Sequence, residues 1–355
     1  MKTPSEIISG NTESEEEQQA THAALTEQPV PLRERKLPDT GTPRVSICCL
    51  AFNHEHFIRD TLEGFLDQRT TFPVEILVHD DASTDQTAEI IRHYAEQFPH
   101  LIKPVFQTEN KYSAGIEVSA YNTDRAVGGY LAFCEGDDYW TDPLKLQKQY
   151  RFLEDHADYV ACFGNYTRFN VPSGERLNID IRSGNSDDEN GYTFSLEEMK
   201  DRWLTKTLTA MVRRASAENF DPSVYRYYRD IHFFYHLLKQ GKAYLFYDNF
   251  GVFRVHPGGI NSMKQGSVNA NAAYNCYREL YLINRDEFTR AMYFKSIVSL
   301  FNYNLFNRYP GNTLLSNLRL LSGMFRTFKG IGEFRMIVYS LVKRQVKDYI
   351  KYQLQ

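Results

Sequence analysis

No run of apolar residues in this 355-residue chain reaches the roughly 18 that a membrane-spanning helix needs. The first seventeen residues, MKTPSEIISGNTESEEE, are polar and acidic where a signal peptide would carry its apolar stretch. Cysteine is scarce: five residues, an odd total with no CxxC pair, which does not read as a disulfide framework. Charge of one sign is scarce too. A net charge of −4 gives no reason to expect a nucleic-acid partner. Aromatic residues are missing from the first 40 positions although the chain holds 24 Tyr, 24 Phe and 2 Trp. These absences lead us to expect a soluble protein of a reducing compartment, in the cytoplasm.

The aromatic-free segment carries eight acidic residues against four basic ones. It cannot bury enough apolar surface to offset the entropy of ordering, so residues 1–43 read as a disordered acidic tail. Pro38, Gly41 and Pro43 mark its end.

From Arg44 the pattern alternates between strand and helix. Val45–Ala51 (VSICCLA), Val74–Val78 (VEILV), Leu101–Phe106, Tyr130–Cys134 (YLAFC) and Tyr159–Phe163 are apolar runs of strand length. Between them, residues 56–68 and 117–127 have helical spacing. Ser83 with Gln86 offers a capping box for a helix through Phe98, and Asp142-Pro143 opens another. Such alternation implies an α/β fold with a mostly parallel sheet and flanking helices, whose ligands bind beyond the C-terminal ends of the strands.

Two acidic clusters stand at such ends. His79-Asp80-Asp81-Ala82-Ser83-Thr84-Asp85 follows VEILV, and Glu135-Gly136-Asp137-Asp138-Tyr139-Trp140 follows YLAFC. Carboxylates gathered at one sheet edge repel one another unless a cation neutralises them, and an all-oxygen set points to Mg²⁺ or Mn²⁺. Asp85 and Asp142 read more simply as turn or cap residues.

Three segments taken together, VSICCLAFNHEHFIRDTLEGFLDQ, VEILVHDDASTDQT and GGYLAFCEGDDYWTDPLKLQKQ, resemble glycosyltransferase family 2 in order and spacing over roughly residues 44–155. The resemblance implies a GT-A fold over residues 44–265 and an inverting enzyme that moves a sugar from a nucleoside diphosphate sugar to a saccharide or lipid-linked acceptor. It places Phe52, Asn53, Asp81 and Asp137 around the donor nucleotide, and Asp138 on the metal. Glu135, where many relatives have Asp, falls in the metal region.

Later segments match more loosely. Residues 172–191 read as a polar loop in which Asp187, Asp188 and Glu189 are solvated, and Leu208–Val212 as a strand near the acceptor. Asp230 opens an aromatic helix, where it could serve only as a cap. The resemblance makes it the catalytic base, with Arg229 replacing the Glu common in relatives. Arg254 and His256 lie two apart and so point the same way in an extended chain, suiting a diphosphate or metal region. A silent nucleotide-sugar or acceptor-binding module on the same fold is the alternative. A nucleotidyltransferase would want a Gly-rich phosphate loop after the first strand, and CLAFNHEHF has none.

Residues 266–355 read as a helical extension. From Leu314 onward eight basic residues face two acidic ones, interleaved with apolar side chains. This suits a helical subdomain with a basic face, or peripheral attachment to an anionic membrane surface. Cell-surface polysaccharide or lipopolysaccharide synthesis is the family-level expectation.

Overall fold

A computed structural model describes residues 28–35, 41–179, 181, 189–259, 266–306 and 313–330, with the isolated residues 333 and 335. In chain order the strands are β1 (Val30–Pro31), β2 (Val45–Ala51), β3 (Arg69–Thr70), β4 (Val74–Asp80), β5 (Ile102–Phe106) and β6 (Tyr130–Phe133). They continue with β7 (Tyr139–Trp140), β8 (Tyr159–Asn170), β9 (Glu175–Asn178), β10 (Gly191–Phe194), β11 (Met211–Arg213) and β12 (Lys242–Val255). The helices are α1 (Ile58–Leu66), α2 (Thr87–Gln97), α3 (Ala120–Thr123), α4 (Lys145–Asp155), α5 (Leu196–Met199) and α6 (Arg214–Ala217). After them come α7 (Asp230–Leu238), α8 (Gly266–Asn284), α9 (Glu287–Phe306) and α10 (Leu314–Thr327).

The main sheet runs β10-β12-β8-β11-β6-β2-β4-β5, with β7 beside β12 and β9 beside β8. Pairing is parallel from β6 through β2 and β4 to β5, and again between β8 and β12. The sheet is mixed because β11 inserts antiparallel between β6 and β8. Side chains alternate across β2: Ile47, Cys49 and Ala51 face the core under α1, α2 and α4, while Cys48 joins the opposite core with α7 and α8. All five cysteines are buried and free. Among the described residues no helix is long and apolar enough to cross a membrane.

Several local expectations change. The capping box at Ser83 does not form: the Ser83 hydroxyl donates to Asp80 Oδ1 (2.5 Å), Ala82 adopts φ +61°, and α2 starts only at Thr87. The helix expected over 117–127 shrinks to the single turn of α3, where Asn122 is drawn under β2 to donate to the Cys49 carbonyl (2.8 Å). The strand from Tyr159 runs on to Asn170 and forms a hairpin with β9, so Glu175–Asn178, expected within a polar loop, is sheet.

Residues 28–35 are not disordered. Leu32 is fully buried, Arg33 pairs with Glu63 (2.7 Å) and Asp67 (2.8 Å), and β1 pairs with β3. One apolar anchor and one cation suffice to dock the end of an otherwise polar segment. Residues 1–27 and 36–40 of the tail, Asp187, Asp188 and most of the chain beyond residue 330 lie outside the described residues.

Candidate active site at the strand ends

The parallel strands end together, and their register sets the acids side by side. Ala51 of β2 is the Cα partner of Asp80 of β4, and Asp81 N–H donates to the Ala51 carbonyl at 2.9 Å. The β6 loop folds back under α1, whose Thr61 hydroxyl donates to the carbonyls of Asp138 (2.6 Å) and Gly136 (3.0 Å). Gly136 permits this approach, since a Cβ there would stand 2.9 Å from His54 Nδ1 and 3.0 Å from Ile58. After the loop, β7 pairs antiparallel with β12 (Trp140 with Gly251, Tyr139 with Val252). That register carries Arg254 and His256 to the acidic loop.

The contacts there divide the acids. Asp138 is 1% exposed, and its Oδ1 accepts the Arg254 N–H at 2.8 Å. Arg254 is itself buried: its guanidinium donates to the Asp137 carbonyl (3.1 Å), pairs with Asp60 and lies 4.3 Å from the centre of the Tyr139 ring. The Asp137 carboxylate instead faces two imidazoles, with His256 Nε2 at 3.0 Å and His54 Nε2 at 3.9 Å from the same Oδ2. Phe57 packs 4.5 Å from the His256 ring.

The electrostatics follow this division. Burial, with the neighbouring Asp137 charge, pushes the Asp138 carboxyl well above the ordinary range. Burial likewise lifts Glu135 to about 7, against the pull of Lys206. Burial also opposes the Asp137 charge, but the His256 hydrogen bond and the two imidazoles outweigh it and hold that carboxyl below the usual range. Burial lowers His54, whose Nδ1 has no partner.

Among the described residues no three His, Cys, Asp or Glu side chains form a ready metal cage. The donor chemistry nevertheless suits an open divalent site. Crowded carboxyls want a cation, and two ligands each about 2.1 Å from one ion at a right angle stand about 3 Å apart, the separation found between Asp137 Oδ2 and His256 Nε2.

The other expected residues line the β2 and β4 ends. Phe52 is 39% exposed. Asn53, at φ +54°, accepts the Thr84 N–H (2.8 Å) and donates its own N–H to the Ser83 hydroxyl (2.9 Å). Asp81 is buried, and its two oxygens accept the N–H groups of Lys111 (2.8 Å) and Tyr112 (3.0 Å), leaving further lone pairs for a ligand. Asp85 accepts the Thr87 and Glu55 N–H groups, and Asp142 accepts that of Leu144, so both perform turn and cap duty.

Asp230 lies across from this edge, at the first position of α7, where its Oδ1 accepts the Ile231 N–H (2.9 Å). Asp230 is exposed, yet the protein crowded around it raises its carboxyl above the ordinary range, while Lys206, the Ile231 N–H and Arg229 pull it down. Lys206 links the two sides, since Glu135, Asp138 and Asp230 all feel its charge, and Asp230 in turn raises Glu135. The Lys206 ammonium sits 3.3 Å from the centre of the Phe253 ring. A cavity of about 310 Å³ opens beside Asp230, lined by Trp203, Arg229, Ile231 and, from α8, Asn269, Ala273, Cys276 and Tyr277.

Sequence reasoning missed His54, Asp60, Lys206, Trp203 and Tyr277. Only His54, one residue past Asn53, and Asp60 stood inside a recognised segment.

Residues 46–217 match the family model described as Glycosyl transferase family 2. An uncharacterised protein of Mycobacterium tuberculosis (strain H37Rv) is 47% identical over 120 residues, 34% of this chain and 34% of its own length. The chain thus spans about a third of the length of its mycobacterial relatives. The putative teichuronic acid biosynthesis glycosyltransferase TuaG of Bacillus subtilis is 27% identical over 241 residues, 67% of this chain and 88% of TuaG. In fold the chain is similar to residues 1–349 of S. aureus TarS in complex with UDP-GlcNAc (TM-score 0.53, 17% identity, 80% of this chain and 79% of the other). It is also similar to the mannosyltransferase PcManGT of Pyrobaculum calidifontis in complex with GDP-Man and Mn²⁺ (TM-score 0.51, 15% identity, 94% and 88%). The strand-end acids, the Arg254–His256 return and the matched segment all lie on one GT-A framework, and over residues 46–217 the chain matches glycosyltransferase family 2.

Proposed function

We propose that the chain transfers a sugar from a nucleoside diphosphate sugar to an acceptor hydroxyl, with inversion at the anomeric carbon. The observation that carries this reading is that Lys206, seated over the Phe253 ring, acts by its charge on two kinds of carboxylate: the metal-suited acids of the β6 loop and the base candidate Asp230.

The donor nucleotide lies over the β2 and β4 ends, with Phe52 and Asn53 beside the base and Asp81 offering acceptor lone pairs to its edge. Asp137 and His256 would hold a divalent ion, with Glu135 close by, and the ion would neutralise the charge of the leaving diphosphate. The resemblance makes Asp138 the direct metal ligand and puts Asp137 in the ribose and metal region; the geometry favours the metal on Asp137. Asp138 then serves from behind, holding the β12 backbone through Arg254 N–H, and Arg254 braces the loop rather than reaching the diphosphate. An imidazole in the donor set favours Mn²⁺ over Mg²⁺.

Asp230 accepts the proton of the attacking hydroxyl. Its raised affinity for a proton suits a general base, while Lys206 and Arg229 keep the ionised form accessible. With Asp230 as the base and no nucleophile assigned among the described residues, the acceptor oxygen attacks the face opposite the leaving group. The Trp203 and Tyr277 rings beside Asp230 offer flat apolar faces of the kind a sugar ring packs against, and Asn269 adds a polar contact. We read the acceptor as a saccharide, free or lipid-linked, in cell-surface polysaccharide synthesis; the TuaG likeness supports that setting.

The test is nucleoside diphosphate release from UDP- and GDP-sugars in the presence of candidate oligosaccharide acceptors. Turnover by the wild type that is lost in Asp230→Asn supports the reading. Donor binding without turnover for any acceptor class would instead favour a silent binding module.

A further inference from the structure

Helix α10 carries two faces of unlike character. Its inner face is the buried pair Leu320 and Met324, which join Phe294, Ile297 and Val298 of α9 in a separate small core. Its outer face should be polar if water were its only neighbour. Leu315 is instead 59% exposed, Leu318 51% and Phe325 82%, and Phe328, just past the helix end, is 42% exposed. At 100° per residue the three helical side chains fall within an arc of about 80°. The exposed Arg319 and Arg326 occupy the adjoining strip. A phenylalanine left four-fifths in water on the same stripe as two exposed leucines is a patch with a use.

We propose that this face of α10 docks the protein on an anionic lipid surface, with Leu315, Leu318 and Phe325 entering the interface and Arg319 and Arg326 meeting lipid phosphates. The charge pattern selects this occupant. The chain as a whole is acidic at −4, yet residues 314–330 carry Arg319, Arg326 and Lys329 and no Asp or Glu, so the charge along the helix that bears the apolar face is basic. A second copy fits less well. Three side chains fall far short of the roughly 800 Å² per partner of a stable interface. Two copies paired symmetrically on this stripe would also bring arginine against arginine. A helix lying in the headgroup plane satisfies both halves of the face at once.

The proposal is independent of the transfer reaction, since none of these residues is among those that form the site described above. The test is flotation of the full chain with vesicles of phosphatidylcholine alone and of phosphatidylcholine with about one-third phosphatidylglycerol, at low and high salt. Two double variants accompany it, L318S with F325S and R319S with R326S. All four positions are exposed, so an unchanged melting temperature is expected and serves as the fold control. The wild type should float with the anionic vesicles at least tenfold better than with neutral ones. Each double variant should lose at least tenfold of that binding, and salt should weaken the wild type. Variants that float like the wild type, or a wild type that ignores anionic vesicles, would overturn the proposal. So would a concentration-dependent dimer that the leucine and phenylalanine substitutions disperse.

Discussion

The two sides of the candidate site are built in opposite ways. On the donor side every acid comes from a short segment at the end of a parallel strand, and its partners arrive by strand register: His256 and Arg254 reach the acidic loop because β7 and β12 pair. On the acceptor side Trp203, Asp230 and Tyr277 come from a loop, a helix start and the C-terminal extension, brought together only by packing. The charge balance differs as well. Asp137 is held ionised by the His256 hydrogen bond with His54 nearby, whereas Asp230 has one backbone hydrogen bond and the more diffuse fields of Lys206 and Arg229 and is pushed toward its protonated form. A binding carboxylate is stabilised as a charge and a base is kept reluctant to be one. The same residue type thus does two jobs.

The largest expected effect tests the acceptor side. Asp230→Asn should keep donor affinity and lower turnover by about 10²-fold or more, measured as nucleoside diphosphate release. Near-full turnover would remove Asp230 as the base and with it the contrast between the two carboxylates.

The donor side should break differently. His256→Asn should weaken the Mn²⁺-induced rise in melting temperature, with apparent Mn²⁺ affinity down by tenfold or more. Asp138→Asn, which keeps an oxygen for the Arg254 N–H, should cost less Mn²⁺ affinity than Asp137→Asn. The reverse order would return the metal to Asp138.

A smaller effect is expected at the pocket wall. Trp203→Ala should raise the acceptor KM by roughly tenfold through lost stacking area and leave the donor KM unchanged. Equal changes in both would mean that the cavity is not an acceptor subsite.

The smallest effect lies behind the donor loop. Lys145 is fully buried, with its ammonium 4.1 Å from the centre of the Trp140 ring and donating to Gln149 Oε1 at 2.7 Å. Burial lowers it from 10.5 to about 7. Between those values the unfolded chain keeps a proton that the folded chain gives up, so this group makes stability rise with pH across that window. Thermal unfolding of wild type and Lys145→Met at pH 7 and pH 9.5 should show the wild type gaining on the variant as pH rises. Parallel curves would place the amine in a wetter site than its burial suggests.

The contrast also explains what could be read in advance. Asp80-Asp81 and Glu135-Gly136-Asp137-Asp138 were legible because a strand run followed at once by acids is a local signal, and parallel pairing then forces proximity. Which of the two loop aspartates faces ligand was not legible. It depends on the side-chain direction after Gly136 and on β12, more than 100 residues away. His54 lay within a recognised motif, but its partner Asp137 is on another strand end. Trp203 and Tyr277 carry no local signal: a tryptophan in a polar loop and a tyrosine on a helix become pocket walls only when α8 packs beside α7. The single turn of α3 and the long β8 were misjudged for a related reason. Their lengths are set by tertiary partners, the Cys49 carbonyl for Asn122 and β12 for β8, rather than by propensity.

The most direct test of the account is calorimetric titration of UDP, GDP and dTDP, with and without Mn²⁺, into wild type, Asp137→Asn and Asp230→Asn. The account predicts Mn²⁺-dependent binding of one nucleotide to the wild type, lost in Asp137→Asn and retained in Asp230→Asn. Binding that is indifferent to Mn²⁺ and to Asp137→Asn, or no binding of any nucleotide, would contradict it.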